Sequence, residues 1–85
     1  MTLEKAHDYI MRVVIDAAIE LGSKQALARH FGVRPAAVSQ WIRRRRFPSQ
    51  NTWKMHQLVA ERHKLEDIQR AMFLIEYSPE RQKGA

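Results

Sequence analysis

Ala36, Ser39, Gln40 and Arg43 have the side chains and the spacing to read an ordered polyanion. On a helix starting at Pro35, with about 100° between residues, they share one roughly 100° sector, while Val38, Trp41 and Ile42 fall opposite. Ala36 is small enough to let that helix approach a groove closely and touch a thymine methyl. Gln40 can pair bidentately with adenine and Arg43 with guanine, and Ser39 can bond a base or a phosphate. Arg34, at the helix entrance, can reach a base edge or the backbone.

A second set offers charge without sequence discrimination. Lys24 and Gln25 open the preceding helix, where unsatisfied amides and the positive dipole end favour a phosphate. Arg44, Arg45, Arg46 and Lys54 supply further anchoring to phosphates. Charge is segregated along the chain to match. Residues 21–60 hold eight basic side chains and no acidic one, while the remainder holds seven basic and nine acidic, a net −2. The whole chain is +6 with a pI near 10.3, which points to nucleic acid or an anionic membrane surface.

These residues need a scaffold, and composition says which kind. Eighty-five residues make one domain, expected over 1–78 with a flexible tail at 79–85, and 45% hydrophobic content suffices for a core. Only three glycines and three prolines interrupt the chain, and no segment sustains strand-like alternation, so an all-α bundle of four to five helices is expected. The absence of cysteine removes disulfides and thiolate metal sites and suits a reducing compartment. Met1 to Asp8 lack the apolar stretch of a secretory signal, and no apolar run approaches the ~20 residues of a membrane span, so a cytoplasmic protein in a bacterial host is expected. A membrane-surface role is disfavoured because the basic residues lie on a turn-rich motif, not along an amphipathic helix.

The first helix is expected from Leu3 to about Leu21, capped by Thr2 and ended by Gly22. Its apolar stripe of Leu3, Ala6, Ile10, Val13, Ala17 and Leu21 is widened by Val14, Ile15, Ala18 and Ile19, which places it centrally in the core or also against a partner subunit. Ser23 caps a second helix from Lys24 to His30 or Phe31, and Gly32 follows where a positive φ is needed. Arg34 precedes a proline and so avoids the α region, making it the N-cap of a third helix from Pro35 to about Arg44. Phe47 to Gln50 reads as a loop. Asn51 or Thr52 then caps a fourth helix through about Lys64, burying Trp53, Met55 or His56, Leu58 and Val59. A fifth segment, Leu65 to Tyr77, sets Leu65, Ile68, Met72 and Ile75 on one face, with Phe73 and Tyr77 expected in the core, and dimerisation through this stripe or through the first helix as the alternative. No glycine or proline separates the last two, so one kinked helix is an alternative.

A small residue at Ala28, Gly32 four later and Val38 six after that form the helix-turn-helix pattern, which places its second helix in the DNA major groove. The run Gly22-Ser23, Ala26-Leu27-Ala28, Phe31-Gly32-Val33 and Ala36-Ala37-Val38-Ser39-Gln40-Trp41 resembles the Cro-type repressors of temperate phages and related prophage-encoded regulators and antitoxins. The resemblance covers residues 20–48. It implies dimeric, operator-specific binding to double-stranded DNA, with Ser39, Gln40 and Arg43 at the base-reading positions. The family often places a glycine-containing turn after the recognition helix, whereas this chain has Arg44-Arg45-Arg46-Phe47.

Other chemistry finds little support. His7, His30, His56 and His63 lack paired metal spacing, Glu66 and Asp67 diverge on a helix, and no nucleophile-base motif or phosphate loop is present. No enzyme, cofactor, metal or small-molecule substrate is expected. Trp41 and Trp53 can stack on bases, but their phase favours core packing. The leading expectation is a transcriptional regulator acting as a homodimer or as side-by-side copies on repeated sites. Two alternatives are an excision factor that bends attachment-site DNA and a helical adaptor docking an acidic protein or RNA.

Overall fold

In the computed structural model, residues 1–78 are described, and they form five α-helices without a strand. α1 spans Leu3–Leu21, α2 Lys24–Phe31, α3 Pro35–Arg44, α4 Thr52–Val59 and α5 Leu65–Glu76. The all-α bundle containing a helix-turn-helix is as the periodicity predicts. The tail expected at 79–85 lies outside the described residues. Among the described residues, no helix is long and apolar enough to cross a membrane.

α1 is the axle. Ala6, Ile10, Val13, Val14 and Ala17 are fully buried, and the helix packs against all four others. Its width of apolar surface is thus mostly core, although Ile15 and Ile19 remain exposed at 36% and 61%. The boundaries follow local chemistry. The Thr2 hydroxyl accepts from the Lys5 N–H and the Ser23 hydroxyl from the Ala26 N–H, each satisfying an amide that its helix leaves open. Gly22 and Gly32 both take positive φ, 103° and 68°.

Several expectations fail in the second half, each for a packing reason. α4 ends at Val59, not near Lys64, and it is separate from α5. His63 is drawn to α1, with Nε2 donating to Asp16 Oδ2 at 2.7 Å and Nδ1 3.1 Å from the Tyr9 hydroxyl. The backbone N–H groups of Arg62 and His63 both turn back to the Val59 carbonyl, and Lys64 is extended. A tertiary tie therefore breaks a helix that local sequence would continue. Neither Asn51 nor Thr52 caps α4 through its side chain as expected. Instead the Thr52 hydroxyl donates to the Ser49 carbonyl, and Ser49–Asn51 form a 3-10 turn within the expected loop region.

Trp53 is 62% exposed, not buried, because Met55 and Val59 take the core side and a residue two places from Met55 lies about 200° away. Phe73 and Tyr77 are likewise exposed, since Ile68, Ala71, Met72 and Ile75 already fill the inward face of α5. Phe47 lies in the loop expected there, but it is drawn into the core, 1% exposed.

The tie at the α4–α5 turn has a measurable consequence. Partial burial, with the Asp67 and Asp16 charges nearby, raises the Tyr9 phenol above its ordinary value of 10.0. The folded state then holds that proton more tightly than the unfolded chain. Stability present below about pH 10 is lost as pH rises through the higher folded value. Thermal melts should show a decline above pH 10, and Tyr9→Phe should flatten it. An unchanged alkaline slope in Tyr9→Phe would show that Tyr9 is not its source.

Candidate nucleic-acid interface

The turn between α2 and α3 is set by backbone bonds that glycine permits. With Gly32 left-handed, its N–H bonds the Arg29 carbonyl at 3.1 Å and the Val33 N–H bonds the Ala28 carbonyl at 2.9 Å, closing α2. Arg34 is extended, with φ −76° and ψ 151°, and its side chain makes no capping bond, which leaves the guanidinium at the mouth of α3. Leu27, Ala28 and Val38 are buried between the two helices, and Trp41 meets Phe31 edge-on with centroids 5.6 Å apart.

α3 is thereby fixed with one face inward and one outward. Val38 and Trp41 are buried, whereas Ala36, Gln40 and Arg43 are exposed and Ser39 is half-buried. The exposed face carries the proposed base-reading set together with Arg34. Lys24, Gln25 and Arg44 are also exposed, and the segments that carry these eight residues, 24–25 and 34–44, hold no acidic residue.

Arg45, Arg46 and Lys54, the other basic residues assigned to phosphates, have intramolecular partners. Arg45 takes the left-handed conformation, φ 57°, at the C-terminus of α3, and is the only non-glycine residue among those described that does so. Its N–H bonds the Ile42 carbonyl and the Arg46 N–H bonds the Trp41 carbonyl, so Arg45 fills the position glycine ordinarily takes. Two residues of α1 hold it there. Arg45 Nη1 donates to Asp8 Oδ1 at 2.7 Å, and His7 Nδ1 donates to the Arg45 carbonyl at 3.1 Å. The glycine-free turn after α3 is thus supported from outside.

Arg46 sits 3.7 Å from a Glu76 oxygen, linking α3's end to α5. Lys54 Nζ donates to the His30 carbonyl at 2.7 Å and lies 5.1 Å from the Phe31 ring centre, so it closes the C-terminus of α2. Of the six residues assigned to phosphates, Lys24, Gln25 and Arg44 stand open, while Arg45, Arg46 and Lys54 also brace the motif. Arg45 retains 41% side-chain exposure, so an approaching phosphate can compete with Asp8 for it.

Phe47 and the His7–Asp8 pair escaped sequence reasoning. Phe47 tucks beneath Trp41, centroids 6.5 Å apart, just past the arginine run. An aromatic residue placed between Arg46 and Pro48 was a usable signal. Nothing local connects Asp8 to Arg45, 37 residues away. No protein-family model, curated protein or solved structure matches this chain.

Proposed function

We propose that this chain is a sequence-specific double-stranded DNA-binding transcriptional regulator, of the kind phages and prophages use as repressors, and that α3 reads the major groove. The observation that carries this reading is the exposed α3 face of Ala36, Gln40 and Arg43, with Ser39 beside them, flanked by Arg34 and Arg44. The face is narrow and small at its start, hydrogen-bonding along its length and cationic at its end. Those are the requirements of a helix that enters a groove and is gripped at its rim. One such helix spans few base pairs, so useful specificity requires two copies on half-sites about one helical turn apart.

Selection from random duplex DNA tests the reading directly. An enriched motif with repeated or inverted halves is the expected result, and equal affinity for all duplexes would discard it. If four to six residues neutralise phosphates, log affinity should fall against log salt with a slope near −4 to −5. The geometry sorts that slope among side chains. Arg44→Ala should weaken every sequence alike and lower the slope by about one with no loss of stability. Arg45→Ala should also lower it, but with a drop in thermal stability, because the Asp8 tie to α3 is lost. Titration at four salt concentrations beside a melt of each variant separates the two.

A further inference from the structure

A cleft of about 530 Å³ opens where α3 ends, lined by Gln40, Trp41, Arg44, Arg46, Phe47 and Pro48. Around α3, Arg44 lies about 40° from Gln40 and about 60° from Trp41, so these three form the edge between the outward face and the core. None of the lining residues is acidic, and two carry a guanidinium.

Trp41 brings a donor that the core does not use. The residue is 8% exposed, yet its indole N–H has no hydrogen-bond partner among the described residues. No fully buried side-chain nitrogen or oxygen among those residues lacks a partner, so the indole nitrogen reaches the surface, and the cleft is a surface that Trp41 lines. Arg44 is exposed and has no ion pair among the described residues. Arg46 is only loosely held, because 3.7 Å to the Glu76 oxygen exceeds a hydrogen bond and both side chains are partly exposed. Indole and guanidinium groups donate and do not accept, so the ligand that matches all three is an anion with several oxygens, a phosphate. The cleft has more room than a lone phosphate fills, and the exposed Pro48 gives it an apolar wall for an attached sugar.

We propose that this cleft seats one backbone phosphodiester of the bound duplex, held by the Trp41 indole N–H, Arg44 and Arg46, beside the base that Gln40 reads. The site rests on the DNA-binding reading. It makes Trp41, whose ring packs against Phe31 and Phe47, a direct DNA contact through its one polar atom. A phosphate fixed next to Gln40 also sets the register of α3 along the groove. Glu76 competes with that phosphate for Arg46 and so weakens the site.

The chain has two tryptophans, so nitrogen–proton spectra show two indole N–H signals, assigned with Trp53→Phe. Dimethyl phosphate, which tests the cleft without any duplex, should move the Trp41 signal downfield with saturation and leave that of Trp53 in place, while sodium chloride at matched ionic strength should move neither. A short random duplex should give the same shift at a concentration about 100-fold lower. Arg44→Gln and Arg46→Gln should each weaken dimethyl phosphate binding about 5-fold, and Trp41→Phe, where circular dichroism shows it folded, roughly 10-fold. Glu76→Gln should strengthen it about 2–5-fold, a gain that a purely structural role for Arg46 would not give. On the selected site, one uncharged methylphosphonate per half-site should cost the wild type about 10-fold and Trp41→Phe little. A Trp41 signal unmoved by a duplex that does bind, Arg46→Gln binding dimethyl phosphate undiminished, or Glu76→Gln binding it more weakly would overturn the proposal and leave the DNA reading standing. Inorganic phosphate that saturates the cleft at micromolar concentration and is not displaced by duplex would reassign it to the free ion. A protein that ignores duplex DNA altogether would remove the DNA reading, and the backbone phosphate with it, whatever dimethyl phosphate does at the cleft.

Discussion

Gln40→Ala combined with Arg43→Ala is expected to abolish operator preference while leaving the fold intact. Each side chain can make a bidentate contact to one base, and each such contact discriminates against the wrong base by about 1–3 kcal/mol. Losing both should therefore reduce the ratio of specific to non-specific affinity by roughly 30-fold to 10⁴-fold. Non-specific affinity should fall only by the one charge Arg43 carries, a change of about one in the salt slope. Both residues are exposed, so unfolding free energy should move by no more than about 0.5 kcal/mol. The measurement is a pair of titrations, on the selected site and on a scrambled duplex, at fixed salt. A double variant that keeps its preference would show that α3 does not read bases.

Phe47→Ala is expected to produce the opposite pattern, a large loss of stability with no direct effect on base preference. Phe47 is 1% exposed and lies against Trp41, which in turn meets Phe31, so the three rings run from α2 across α3 into the segment that follows. Truncating a buried phenylalanine costs about 3–5 kcal/mol, since the transfer energy is lost and a cavity remains. A chain of 85 residues has a total stability of only about 4–13 kcal/mol. The melting temperature should therefore drop by roughly 15–30 °C. Urea unfolding measures the loss, and Phe47→Leu should recover most of it by refilling the volume. At low temperature the surviving folded fraction should still prefer the selected site. Loss of preference in a fully folded sample would mean that Phe47 also sets the position of α3's outer face.

The two variants separate the layers of this molecule. One removes groups that project from α3 and nothing that holds it. The other removes what holds α3 and nothing that projects from it. Arg45 lies between these cases. Its side chain is half-exposed at the rim of the basic surface, yet its backbone closes α3 and its guanidinium is tied to Asp8.

Much of the first half of the chain was legible because its determinants are local. Thr2, Gly22, Ser23, Gly32 and Pro35 each act on the backbone within a few residues, through caps, positive φ or a fixed φ, and the helix ends they dictate are the ones observed. The inward and outward faces of α3 follow from helical periodicity alone, because apolar and polar residues alternate there without conflict. The charge segregation is likewise a property of order along the chain.

What sequence could not decide was any choice between equally apolar or equally charged candidates. Trp53 and Met55, or Phe73 and Met72, are alike in hydrophobicity, and only the direction from which α1 approaches determined which member of each pair is buried. α4 stops at Val59 because His63 is drawn to Asp16 from 47 residues away, a tie with no local trace. The arginines from 43 to 46 are identical as letters, but the fold turns Arg43 and Arg44 outward, ties Arg45 to α1 and sets Arg46 toward α5. Local rules set where helices begin, turn and end. Competition for a single core and for partners distant in the chain is settled only when the helices pack.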